Sequence, residues 1–118
     1  MIPPTESQEQ QAFIQWFRYK YPSILIFAIP NGGLRNVVIA KQLKAEGVVP
    51  GVPDLFIPAW KLFAEFKRQK GGRLSEAQKV VSEYLEGLPD GYVVLVCNGC
   101  DDGMEKVQEF KISGGKME

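Results

Sequence analysis

Histidine is absent from the 118 residues. That excludes an imidazole base, a Ser-His pair and any His-metal cluster, and leaves acid–base or metal chemistry to carboxylates, Lys, Tyr, Cys or water. Cysteine occurs only twice, too rarely for a disulfide framework. No apolar run approaches the roughly 18 to 20 residues a membrane helix needs. The first residues, Met1-Ile2-Pro3-Pro4-Thr5-Glu6, have neither the basic segment nor the apolar stretch of a secretory leader, so a cytoplasmic location is expected. Internal repeats and low-complexity segments are lacking as well. Net charge is zero, with 14 basic and 14 acidic residues. What remains, 45% apolar and 24% charged residues, is the composition of one ordinary globular domain, not of a disordered or collagen-like chain. A chain this short buries one modest core, so a functional site belongs on that core's rim.

The zero balance conceals a gradient. Eleven basic and four acidic residues lie between Arg18 and Lys79, whereas residues 1–17 carry only Glu6 and Glu9, and residues 80–118 carry three basic against eight acidic. A basic middle suits an anionic partner, although a solvated surface can scatter its charges in the same way.

Thr5 followed three residues later by Gln8 is a capping box, and Ala12, Phe13, Trp16 and Phe17 recur at helical spacing, which predicts a helix over 6–20. The apolar run Ser23–Ile29 reads as a buried strand, broken by Pro30-Asn31-Gly32-Gly33. Apolar residues at 34, 37, 38 and 43 predict a helix from Leu34 to Glu46, stopped by Gly47. Asp54–Pro58 and Leu62–Lys67 read as strands about a turn at Ala59-Trp60-Lys61, with Trp60 exposed in the turn. A basic glycine loop, Lys70-Gly71-Gly72-Arg73, leads to a second capping box at Ser75 and Gln78 and a helix with Val80, Val81, Tyr84, Leu85 and Leu88 as its stripe. Tyr92–Cys97 reads as a strand and Asp101–Phe110 as a short helix. Trp16, Phe17 and Tyr19–Tyr21 read as packing residues. The order αβαββαβα implies an α/β (α+β) fold with a mixed central sheet flanked by helices.

The chemistry concentrates in the hairpin. Pairing its strands about residue 60 makes residues whose numbers sum to about 120 face each other, which puts Asp54 near Phe66. Glu65 and Lys67, two apart, project from one strand face on either side of it. Two carboxylates side by side repel unless a cation lies between them. Hard divalent ions accept such oxygen ligands, and a neighbouring Lys can hold or deprotonate a water. That set fits phosphodiester hydrolysis. An ordinary charged surface hairpin also carries such residues, and the bare triplet does not decide between them.

The wider pattern is more specific. Thr5-Glu6, Gln10, Pro30-Asn31-Gly32-Gly33, Glu46-Gly47-Val48-Val49-Pro50-Gly51-Val52-Pro53-Asp54-Leu55, Glu65-Phe66-Lys67 and Gly72-Arg73-Leu74-Ser75-Glu76-Ala77-Gln78 follow in order. The chain resembles the virus-type replication-repair nuclease (VRR-NUC) family of the PD-(D/E)xK superfamily, over residues 5 to 110. The resemblance implies a restriction-endonuclease-like core, one nuclease domain over 1–110 and a frayed tail over 111–118. It implies a Mg²⁺- or Mn²⁺-dependent, structure-selective DNA endonuclease, of the kind that resolves Holliday junctions as a homodimer in DNA repair, and the family's usual hosts suggest a phage origin. Carried over by position, Asp54 and Glu65 would be metal ligands, with the Phe66 carbonyl and Glu6 as further ligands. Lys67 would position or activate the attacking water, and Gln78 would stand at the edge of the site. Glu9, one turn after Glu6, competes for the helix-1 role. One departure is Ala64, where a larger branched residue is expected.

Gln78 has a second reading, as the reciprocal partner of its helix cap. Asn31, Gly32 and Arg35 read as a loop that could approach a phosphate through its backbone, and Arg68, Lys70 and Arg73 as phosphate contacts flanking the site. Each of these loops could also be merely solvated. Cys97-Asn98-Gly99-Cys100, followed by two aspartates, reads as a strand end and turn, since one Cys pair cannot close a zinc site within one chain. The competing functions are a non-catalytic branched-DNA-binding module, a restriction-type enzyme with base readout, and a structural partner organised by the two cysteines.

Overall fold

The computed structural model describes residues 2–30 and 37–114. Helix α1 (Glu6–Lys20) starts at the anticipated cap: the Gln8 N–H donates to Thr5 Oγ1 at 3.1 Å and the Thr5 N–H to Gln8 Oε1 at 2.9 Å. Its buried residues are Glu9, Phe13 and Phe17, a four-residue spacing that lines one face of the helix. Strand β1 (Phe27–Ala28) has only two residues, fewer than the apolar run suggested, because its neighbour is itself short. Helix α2 (Val37–Ala45) contains no buried residue. Val37 and Val38, two of the apolar residues that predict this helix, are 70% and 74% exposed.

Strand β2 (Leu55–Ile57) turns through a 3-10 segment (Pro58–Trp60) into β3 (Leu62–Lys67). Helix α3 (Glu76–Glu86), strand β4 (Val93–Asn98) and helix α4 (Cys100–Ile112) complete the chain. α4 thus continues two residues beyond the expected end of the domain. The sheet order is β1-β2-β3-β4. β1–β2 and β2–β3 are antiparallel, while β3 and β4 are parallel, and α3 supplies the crossover that a parallel pair requires. In the hairpin Leu55 pairs with Ala64 and Ile57 with Leu62, one step from the register inferred from sequence.

Alternation then sorts the sheet into two faces. Leu55, Ile57, Leu62, Ala64, Phe66, Leu95 and Cys97 join Phe13, Phe17, Val107 and Phe110 in the core beneath α1 and α4. Ala64 is fully buried, so the core closes over the smaller residue. Gly103 of α4 permits close packing, since a Cβ there would lie 3.0 Å from Phe66 and 3.1 Å from Phe13. The opposite face carries Phe63, Glu65 and Lys67 and is only partly covered, by α3. On α3, Val81 and Leu85 are half-buried, whereas Val80 and Tyr84 of the expected stripe are exposed. Trp60 is not exposed in its turn. It packs against Phe17 and Tyr21 at 5.4 and 4.9 Å, with the Lys111 ammonium 4.3 Å from its ring centre. Tyr19, expected to pack, is 87% exposed. Among the described residues no helix is long and apolar enough to cross a membrane.

Candidate active site

The β2–β3 ladder stops at Leu55↔Ala64, so the last three residues of β3 have an open edge where β2 would have continued. Asp54 occupies that edge. Its Oδ2 accepts the Phe66 N–H at 2.7 Å. A residue's N–H and C=O point to the same side of an extended strand, so the Phe66 carbonyl faces the Asp54 edge too. The Phe66 ring points the other way, into the core, 5.0 Å from Phe13. Anchoring the ring therefore anchors the carbonyl and the two charged neighbours.

Glu65 and Lys67 are 3% and 8% exposed, which is unusual for charged residues. Lys67 Nζ stands 3.8 Å from Glu65 Oε2. Gln78 Nε2 donates to the same oxygen at 3.0 Å, while Gln78 Oε1 accepts the Ser75 N–H at 2.8 Å. The two readings of Gln78 are therefore not exclusive: the amide closes the helix cap with one end and reaches Glu65 with the other. Glu65 Oε1 is buried with no hydrogen-bond donor. The Glu65 carboxyl also lies within hydrogen-bonding reach of the Asp54 carboxyl, a contact that is attractive only with a proton or a cation between the two.

The environment makes that proton hard to remove. Burial pushes the Glu65 carboxyl up to about 8, reinforced by the charge and hydrogen bond of Asp54 and, more weakly, by Glu6, and opposed by Lys67. A folded-state value above the unfolded one means that native protein retains a proton the unfolded chain releases. Glu65's own contribution to stability without metal should be fully present below about pH 4.5 and should be lost as pH rises to about 8. Thermal melts across that window, in chelator, should show the decline, and Glu65→Gln should flatten it.

Glu6 sits in the exposed first turn of α1, at the rim of the site. Among the described residues no three His, Cys, Asp or Glu side chains are grouped to hold a metal, so Asp54 and Glu65 form a pair and Glu6 stands outside it. Beside Glu6 a cleft of about 750 Å³ opens between Pro3, Pro4 and Ser7 on one wall and Arg68, Gln69 and Lys70 on the other. The Arg68 guanidinium is turned into its own loop, donating to the carbonyls of Lys70 at 3.0 Å and Gly71 at 3.4 Å. Lys70 and Arg73 are exposed nearby. Asn31, Gly32 and Arg35 lie outside the described residues.

Sequence reasoning left Glu9 undecided and passed over Gln69. Glu9 is 5% exposed. Its Oε2 accepts Gln69 Nε2 at 2.7 Å and its Oε1 the Cys100 N–H at 3.0 Å, so both oxygens are engaged away from Asp54. The signal was available: a charge at the start of the 9–13–17 row lies on the buried face of the helix. The two cysteines also differ from expectation. Cys97 lies inside β4, which ends at Asn98, and Cys100 is the first residue of α4. Burial nonetheless pushes the Cys97 thiol up to about 12, and burial with Asp101 and Glu9 raises that of Cys100. Neither is an activated thiolate.

Neither a family model nor a curated protein matches the chain. A solved structure of a VRR_NUC domain protein is similar to it, with a TM-score of 0.71 and 25% identity over 94% of this chain and 92% of that one. The chain is therefore similar, in fold and over nearly its whole length, to a VRR-NUC domain. Its mixed sheet with four helices matches that nuclease fold, and two of its buried charges, Glu65 and Lys67, meet beside Asp54 and Gln78.

Proposed function

We propose that this VRR-NUC-like domain is a Mg²⁺- or Mn²⁺-dependent endonuclease that hydrolyses phosphodiester bonds in branched DNA, acting as a homodimer. The observation that carries the reading is buried Glu65, with its donor-less Oε1, beside half-buried Asp54 and with Lys67 alongside. Asp54, Glu65 and the Phe66 carbonyl are hard oxygen donors on one strand edge, the type of partial set that Mg²⁺ and Mn²⁺ complete with water. Glu6 would add a third carboxylate from the rim. A bound ion would polarise the phosphodiester and stabilise charge developing on it. Lys67 holds its ammonium beside Glu65, where it can orient a water for attack on phosphorus and offset negative charge. Gln78 keeps Glu65 turned toward Asp54. As the P–O ester bond breaks, the leaving alkoxide takes a proton from solvent.

The exposed Lys70 and Arg73 would contact flanking phosphates without reading sequence, and among the described residues no element is dedicated to base readout. The uncovered Val37 and Val38 of α2 give a partner copy an apolar surface to cover, and two symmetric sites would suit a two-fold junction. The test is cleavage of a labelled four-way junction, a flap and a plain duplex with Mg²⁺ or Mn²⁺. Paired symmetric nicks in the junction are expected. Cutting of flaps alone would keep the nuclease and remove the junction preference. Junction binding with no cutting under either metal would favour a non-catalytic binding module.

A further inference from the structure

Glu6 has no hydrogen bond or ion pair among the described residues, and its distance from Asp54 and Glu65 is inherited from the placement of α1. The aromatic anchors of that helix are remote from it. Phe13 lies seven residues on, about 10 Å along the axis at 1.5 Å per residue. The inner contact nearest Glu6 is made by Glu9, one turn away. Glu9 joins three elements: α1 itself, the segment leaving β3 through Gln69, two residues after Lys67, and the start of α4 through the Cys100 N–H. α4 has no side-chain cap of its own, because its N-cap is Gly99. Gly99 has a φ of +99°, and a Cβ there would stand 2.8 Å from Gln69 Cγ and 3.1 Å from Glu9 Oε2. The glycine therefore leaves room for the Glu9–Gln69 pair as well as adopting the turn.

We infer that Glu9 and Gln69 are positioning residues, a clasp between buried Glu9 and exposed Gln69 that holds the first turn of α1 against the end of β3 and so sets Glu6 and Lys67 relative to the Asp54–Glu65 pair. The inference rests on the proposed metal-dependent reading of that pair. The carboxylate is suited to the task because it can accept from both donors at once. Glutamine at position 9 can still accept the Cys100 N–H through its carbonyl and give its amide to a flipped Gln69, whereas alanine can do neither. Cutting the Gln69 arm alone spares the α4 cap.

The test is Mn²⁺ affinity by titration calorimetry on folded full-length protein, alongside the Mn²⁺ concentration for half-maximal cleavage and the rate at saturating Mn²⁺. Supporting groups of this kind govern metal affinity by about 10- to 100-fold. Gln69→Ala should weaken Mn²⁺ binding about tenfold, with the saturated rate largely recovered, and Glu9→Ala should weaken it at least as much. Glu9→Gln should stay near wild type. If Glu9→Ala does not fold, Gln69→Ala carries the measurement. Variants that lose thermal stability while binding Mn²⁺ as wild type does would overturn the clasp and leave the nuclease reading intact. Wild-type protein that neither binds Mn²⁺ nor cuts DNA would overturn both.

Discussion

Asp54→Asn should lower DNA cleavage by about 10³-fold, a loss typical of removing one charge-stabilising group from a preorganised site, while leaving the protein as stable as wild type or more so. The two halves have one cause. Asparagine has the volume of aspartate and its carbonyl can still accept the Phe66 N–H, now made at 2.7 Å, so the strand edge should hold its shape. What disappears is a negative charge beside Glu65. That charge is among the causes that drive Glu65 up to about 8, so without it Glu65 should ionise at lower pH and the cost of burying its charge should shrink. Single-turnover cleavage and thermal melts at pH 7 measure the two effects independently. A variant equally inactive but much less stable would mean that Asp54 serves mainly to hold the β3 edge. Lys67→Ala is the complementary case. It removes the cation that lowers Glu65, so it should also abolish cleavage but push the carboxyl further up, the opposite direction.

Which parts of this arrangement could be read from sequence depends on how local their causes are. α1 has its expected bounds because its cap is formed by residues three apart and its apolar row by residues four apart. Asp54, Glu65 and Lys67 were legible because two-residue alternation and one short turn bring them together, and a register error of one step still leaves Asp54 on Phe66; Gln78, on another element, was placed at the site only by the resemblance. Elements whose fate depends on distant chain were less legible. Val37 and Val38 have amphipathic spacing, but spacing does not say what covers them. Ser23–Ile29 has strand composition, yet only two residues pair because β2 offers only three. Arg68 reads as a phosphate contact, and sequence does not show that its guanidinium also donates to the Lys70 and Gly71 carbonyls. Glu9 reads from sequence only as a competitor of Glu6 for the helix-1 role, and only the fold brings Gln69 and Cys100, 60 and 91 residues away, onto its two oxygens.

The Gly51-Val52-Pro53-Asp54 stretch raises the question of why glycine stands three residues before Asp54. Gly51 has a φ of +93°, and a Cβ there would stand 2.4 Å from both the carbonyl carbon and oxygen of Ala77, and 2.9 Å from the Gln78 nitrogen. These are backbone atoms in the first turn of α3, so no side-chain rotation relieves the clash. Either the segment leading to Asp54 or the start of α3 must move by about 1 Å to restore ordinary contact. Gln78 stands at that point, and its 3.0 Å bond to Glu65 would lengthen beyond hydrogen-bonding range. Misplacement on this scale can cost about 100-fold in rate, and overpacking adds about 1–3 kcal/mol of lost stability to the strain of a left-handed backbone. Gly47→Ala is the internal control. Its φ is +103° but nothing lies within 4 Å of the added atom, so it should show the backbone strain alone, about 1 kcal/mol, with cleavage near wild type. Thermal melts and cleavage rates for Gly47→Ala and Gly51→Ala would separate conformational strain from close approach. If Gly51→Ala cut DNA as fast as Gly47→Ala, the seating of α3 against this segment would not be what holds Gln78 on Glu65.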